Sequence, residues 1–189
     1  MNETLRTIAN RYSCRAFSDK PIEQEKLEAI AKAAVLSPSG MNRQPWQIIV
    51  ITDKKLLDEM DAAGMAALKG DALERFKKWG GKLFFNAPCM YFVIKNVDSD
   101  IDVGIVSQNI ALAATSLGLG NVICGMANIP YRGDKGKEFK KRIGVPEGWD
   151  LGITVLVGYE AENARDDERF SIRKADHPDM GKIRYLTGE

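Results

Sequence analysis

This sequence has little catalytic vocabulary. It contains one histidine, and its three cysteines, Cys14, Cys89 and Cys124, are odd in number and lack metal-ligand spacing. A disulfide framework or a cysteine-built metal centre is therefore not expected, and the thiols fit a reducing cytosol. There is no Gly-x-Gly-x-x-Gly run and no phosphate-loop lysine signature, so the common glycine-rich nucleotide cradles are absent. Neither sign of charge dominates, with 27 basic residues against 26 acidic ones. A strongly basic face for nucleic acid is not suggested, and no such partner is expected. The apolar runs fall short of the about 20 residues that cross a bilayer. The start, Met1-Asn2-Glu3-Thr4, lacks the basic and apolar regions of a secretory signal. A cytoplasmic protein without a membrane partner is the simplest reading. His177 sits in a polar tail between Asp176 and Pro178 and reads as a surface residue rather than a general base.

What is present is a chain of 189 residues, 44% of them hydrophobic, long enough to bury roughly two thirds of its unfolded surface. Spacings of three and four predict helices over residues 2–12, from Pro21 to before Pro38, and over 54–67, 71–79, 101–117 and 135–143. Asp100 or Asp102 is the expected cap of the helix at 101. Runs rich in Ile and Val predict strands over 47–52, 89–95, 121–124 and 152–159, with a late strand at 182–186. Gly64, Gly70 and Gly80-Gly81 interrupt the region between 54 and 86, which reads as either a mobile cover or a surface connection. The mixture of elements gives an α/β or α+β sheet domain.

Two clusters carry chemistry. In Arg11-Tyr12-Ser13-Cys14-Arg15 two guanidinium groups flank a hydroxyl, and arginine offers a planar fork to phosphate oxygens. On a continuing helix Ser13 would point away from the arginines. If the chain leaves the helix near Tyr12, all three converge. Spacing alone leaves open a solvated basic helix end. Ser37-Pro38-Ser39-Gly40-Met41-Asn42-Arg43-Gln44-Pro45-Trp46 is a turn-prone, amide-bearing loop, suited to the polar edge of a flat ring and equally to an ordinary helix-to-strand connection. Asn121-Val122-Ile123-Cys124-Gly125-Met126 supplies a third wall, where a glycine lets backbone N–H groups approach a ligand closely. Cys14 beside two arginines suggests a lowered thiol pKa, although both Cys14 and Cys124 are more simply small buried hydrophobes.

With these motifs assembled, the chain resembles the nitroreductase family of FMN-dependent flavoenzymes. Residues 11–15 are similar to its Arg-x-Ser-x-Arg signature, and residues 38–46 to its Pro-Ser-x-x-Asn-x-Gln-Pro-Trp segment. Gln108-Asn109, Gly118-Leu119-Gly120 and Val157-Gly158-Tyr159 follow in family order. The resemblance implies an α+β, three-layer α/β/α sandwich with a mainly antiparallel central sheet and an intertwined homodimer. Residues 1–160 would form the FMN-binding core, and residues 161–189 a C-terminal extension of the same domain, packing across the dimer.

The resemblance further implies that Arg11, Ser13 and Arg15, with the neighbouring Tyr12, hold the FMN phosphate and ribityl end from one subunit. Arg173 or Lys174 would add charge from the tail. Pro38, Ser39, Gly40 and Asn42 would approach the isoalloxazine from the other subunit, with Gln44 binding or supporting the loop. Cys124 and Gly125 match the segment facing the flavin, with the Gly125 N–H as the partner of flavin N5. No side chain is implied as a catalyst, because the cofactor carries the redox chemistry. The implied activity is ping-pong hydride transfer from NAD(P)H, a transient donor, through FMN to a nitroaromatic, quinone or similar small oxidant. Alternatives are a flavin-binding or storage protein without efficient turnover, a specialised flavin-dependent dehydrogenase, a silent dimerisation domain and a thiol enzyme.

Overall fold

In the computed structural model, which describes residues 1–166 and 179–186, the four central apolar segments pair into one sheet. They are β1 (Trp46–Ile51), β2 (Cys89–Lys95), β3 (Gly120–Cys124) and β4 (Asp150–Gly158). The order is β1-β2-β4-β3 and every pairing is antiparallel. Period-two alternation sends successive side chains to opposite faces, and the two faces of β2 feed two separate cores. Met90, Phe92 and Ile94 join one, and Cys89, Tyr91 and Val93 the other.

Each core is closed by helices. On the first face lie α3 (Lys54–Ala67), α4 (Gly70–Lys78), α6 (Asn128–Arg132) and α7 (Gly136–Ile143), contributing Leu57, Met60, Phe76, Tyr131 and Phe139. On the second lie α2 (Gln24–Val35) and α5 (Asp100–Ser116), contributing Ile30, Ala34, Val103, Val106 and Ile110. The result is an α+β fold of three layers around an antiparallel sheet. The first helix, α1 (Glu3–Asn10), buries none of its residues.

The elements match the periodicity with four differences. The short α6 was not expected, since five residues containing Pro130 are too few to show a helical period. Residues 182–186 form no strand: a 3-10 turn, Met180–Lys182, is followed by an extended segment with exposed Ile183, Tyr185 and Leu186. Neither Asp100 nor Asp102 caps α5. Ser99 holds the cap position without a side-chain bond, Asp100 pairs with Lys95, and Asp102 accepts from the Gly40 N–H at 3.0 Å. Finally, the region 54–86 is more than a surface connection, since both its ends enter the core while residues 65–82 stay largely at the surface. Leu57, Met60 and Gly64 are buried at one end, Phe76 in the middle, and Leu83, Phe84 and Phe85 at the other.

Among the described residues, no helix is long and apolar enough to cross a membrane and no His/Cys/Asp/Glu group is placed to hold a metal ion.

Candidate active site

Helix α1 stops at Asn10, and Arg11 takes up extended backbone (φ −62°, ψ 125°). From there the chain runs as an extended strip beside the sheet. Ser13 bridges to Asn121 in parallel, and the Cys14 N–H donates to the Asn121 carbonyl at 2.9 Å. Farther along, Phe17 bridges to Glu160, the Ser18 N–H donates to the Tyr159 carbonyl at 2.9 Å, and the Ala161 N–H donates to the Ala16 carbonyl at 3.0 Å. Alternation along this strip decides what the sequence left open. Tyr12 and Cys14 turn inward, 8% and 0% exposed, while Arg11, Ser13 and Arg15 stay half-buried. The Tyr12 side chain thus points to the opposite face of the strip from Arg11, Ser13 and Arg15. Partial burial holds the Arg11 guanidinium below its ordinary pKa. A cation short of water gains from an anionic partner.

The strip sits close because two paired glycines admit it. Gly120 and Gly158 face each other across the β3–β4 ladder. A Cβ on Gly120 would meet the Cys14 Sγ at 2.9 Å, and one on Gly158 would meet the Phe17 Cδ1 at 2.9 Å.

The loop before β1 is shaped with equal care. Met41, Asn42 and Gln44 all have positive φ (52°, 53° and 48°), a conformation that costs non-glycine residues free energy and persists where surroundings impose it. Here the surroundings are named. The Gln44 N–H donates to the Ser39 Oγ at 2.9 Å, and the Gln44 side-chain amide donates to the Asn42 Oδ1 at 2.9 Å. Asp102 of α5 accepts from the Gly40 N–H, and Asn109 of α5 donates to the buried Ser37 Oγ at 2.9 Å. The loop therefore presents Pro38, Gly40 and Asn42 outward, with Ser39 half-buried. Trp46 packs in the core, 6% exposed.

At the end of β3, the Cys124 carbonyl accepts from the Thr154 hydroxyl at 2.6 Å, and the half-exposed Gly125 begins a turn whose carbonyl accepts from the Asn128 N–H at 3.1 Å. Burial pushes the Cys124 thiol up to about 11 despite nearby Met126 and Ala127 N–H groups and the charge of Arg15. Burial likewise raises Cys14, against the lowered value its arginine neighbours suggested, and pushes Cys89 up to about 12. All three are free, buried thiols. None has the thiolate character a cysteine nucleophile needs.

The two motifs do not meet within one chain. Trp46 pairs with Lys95 and Lys95 with Asp150 at one end of the sheet, whereas Ser13 pairs with Asn121 and Asn121 with Val157 near the other. The strip and the Trp46 end of the loop therefore lie at diagonally opposite corners of the sheet. Beside Arg15 opens a cavity of about 640 Å³ whose lining includes Lys78, Trp79, Lys82, Phe85 and Asn86. Arg15, Lys78 and Lys82 outnumber the one acid of the lining, Asp166, which suits a phosphate-bearing ligand, and the volume falls within the roughly 300–1,000 Å³ usual for such sites. The sequence reading passed over Lys78, Trp79, Lys82 and Asn86. The one signal for them was the Gly80-Gly81 break, which brings the end of α4 against the strip. Arg173, Lys174 and His177 lie outside the described residues.

Comparison with known proteins agrees with this geometry. A sequence model of the Nitroreductase family matches residues 8–159. The chain is 31% identical over 183 residues to a putative NADH dehydrogenase/NAD(P)H nitroreductase of Archaeoglobus fulgidus, covering 90% of this chain and 95% of that protein. A nitroreductase of Desulfitobacterium hafniense solved with bound FMN is 42% identical, with a TM-score of 0.89 over 99% of this chain and 100% of that one. A nitroreductase of Bacteroides fragilis, also solved with FMN, is 26% identical with a TM-score of 0.84, again over 99% and 100% of the two chains. Motifs, fold and full-length similarity lead to one conclusion: this chain belongs to the Nitroreductase family.

Proposed function

We propose that this protein is an FMN-dependent NAD(P)H oxidoreductase that works as a homodimer, each FMN being held by residues of both subunits. The observation that carries the reading is the separation of the two motifs. Both have the chemistry to hold one cofactor, and they stand at opposite corners of the sheet. A second copy brings a loop to each strip.

FMN, when bound, would supply the redox chemistry of a ping-pong exchange between NAD(P)H and a small oxidant such as a nitroaromatic or quinone. The chain's own residues bind and orient. Arg11, Ser13 and Arg15 hold the phosphate and ribityl end, with the Tyr12 backbone beside them and Arg173 or Lys174 adding charge from the tail. Pro38, Ser39, Gly40 and Asn42 of the loop close over the ring from the second subunit, and Gln44 braces that loop through Ser39 and Asn42. The Gly125 N–H would serve as the backbone donor to flavin N5, with the buried Cys124 beside it in sequence. Lys82, in the lining of the cavity, would offer positive charge to the reduced ring. Residues 1–160 form the core and residues 161–189 belong to the same domain, crossing toward the partner. In support of a single domain, the Ala161 N–H is bonded to the Ala16 carbonyl of the same chain. The buried free thiols support a cytoplasmic setting.

The test is an absorbance spectrum of the purified protein followed by anaerobic addition of NADH or NADPH. Flavin bands that bleach rapidly are expected. Bound flavin that neither donor reduces would favour a storage role, and no flavin after reconstitution would end the reading. Arg11→Ala and Arg15→Ala are each expected to weaken FMN binding by about 1.5–3 kcal/mol through loss of charge-assisted contacts. Unchanged dissociation constants in both variants would reject the phosphate role.

A further inference from the structure

Asp61 is a carboxylic acid in the middle of α3, 3% exposed, in a position where a helix normally buries an apolar residue. Its Oδ2 accepts from the Phe84 N–H at 2.7 Å, and the Leu83 N–H also acts on it. The acceptor is needed there because the chain turns sharply: Phe85 and Asn86 both have positive φ (52° and 64°), and no glycine relieves the turn. A buried backbone donor left without a partner is destabilising, so the carboxyl group fixes this turn from beneath.

The turn in turn holds the strip. The Phe85 carbonyl accepts from the Phe17 N–H at 3.3 Å, and the Asn86 amide donates to the Asp19 Oδ1 at 2.8 Å. Lys82, Phe85 and Asn86 line the same cavity as Arg15 and Phe17. Arg15 and Asp61 both lie close enough to Cys124 to act on its charge. The acid is thus buried behind the wall on which the site is built, one turn away from the arginine strip.

We infer that Asp61 is a positioning residue for the cofactor site: by holding the 82–86 turn it sets the placement of the Arg15–Phe17 end of the strip and thereby the grip on the FMN phosphate. The inference rests on the reading that Arg15 holds that phosphate. Asp61→Asn keeps the volume, but offers a single oxygen to two backbone donors and turns an NH₂ toward the other.

The experiment measures dissociation constants of the purified apoprotein for FMN and for riboflavin, which lacks the phosphate, in the wild type and in Asp61→Asn, Asp19→Ala, Arg15→Ala and the Asp61→Asn/Arg15→Ala double variant. Melting temperatures are recorded alongside. Asp19→Ala cuts the same tether at the exposed surface and keeps the test available where the buried substitution lowers stability. The expected result is a loss of about tenfold in FMN affinity for Asp61→Asn, about 1.4 kcal/mol, with a much smaller change for riboflavin. Asp19→Ala should move the ratio in the same direction. The double variant should bind FMN more tightly than additive losses predict, because coupled residues share one effect. If Arg15→Ala lowers the FMN-to-riboflavin ratio while Asp61→Asn and Asp19→Ala leave it unchanged, Asp61 is only a structural residue and the inference falls, with the phosphate reading intact. If Arg15→Ala itself leaves the ratio unchanged, the phosphate reading falls and this inference with it.

Discussion

Cys124 stands near Arg15, yet burial outweighs the guanidinium and pushes the thiol up to about 11. At neutral pH it is a packing group. Alkylation of the native protein near neutral pH should therefore leave Cys14, Cys89 and Cys124 unmodified, and Cys124→Ser should reduce its flavin at an unchanged rate. Loss of donor oxidation in that variant, with flavin still bound, would contradict a site without a catalytic side chain. Asp61 makes a second prediction at this scale. Burial raises its pKa in the folded chain, with Asp58 adding to the rise while the Phe84 and Leu83 N–H groups and Lys82 oppose it. Between the ordinary carboxylate value and the raised one, the folded chain holds the proton more tightly than the unfolded chain. Stability contributed by Asp61 therefore falls as pH rises through that window. Denaturant unfolding of the wild type and Asp61→Asn from about pH 4 upward should show the wild type losing ground steadily to the variant. A difference independent of pH would remove the buried-acid account. Asp61 shows how side-chain roles escape a sequence: nothing in its spacing separates a buried acceptor for a turn 23 residues away from a solvated acid.

The strip of residues 11–17 shows at the scale of elements what the sequence could and could not convey. Its composition suggested a phosphate grip, but a helical continuation and an extended one gave different faces. Two hydrogen-bonded bridges to residues far along the chain, Asn121 and Glu160, settle it as extended. Helices α2, α3, α5 and α7 and all four strands were legible because their apolar period persists for a turn or more. The five-residue α6 was not, and residues 182–186 have apolar side chains but pair with no strand among the described residues. The glycines of the Gly118-Leu119-Gly120 and Val157-Gly158-Tyr159 motifs now have a physical cause, since Gly120 and Gly158 make room for Cys14 and Phe17. Gly120→Ala, whose Cβ would also meet the Glu160 Cγ at 3.0 Å, should cost about 1–3 kcal/mol through overpacking and loosen FMN by shifting the strip. Thermal unfolding and a flavin titration measure both. A variant with wild-type stability and affinity would mean that the strip is not held by this close approach.

For the whole molecule, the sheet order has the main consequence. With β1 and β3 at its two edges, the loop before β1 and the strip beyond β3 are kept apart by the fold itself, so no local adjustment joins them. Under the proposed reading a subunit alone would offer half of each grip, and dimerisation would be part of cofactor binding. The exposed apolar side chains of α1, Leu5 and Ile8, and Leu36 after α2 are consistent with a face that a second copy covers. The most direct measurement mixes subunits carrying Arg15→Ala with subunits carrying Asn42→Ala, isolates the mixed dimer by two affinity tags, and counts tightly bound FMN that NADH or NADPH reduces. If each site takes its strip from one subunit and its loop from the other, one site of the mixed dimer is intact and the other carries both damages. The account predicts recovery of one reducible FMN per dimer. Mixed dimers that bind no better than either parent would place both motifs of a site in one subunit and contradict it.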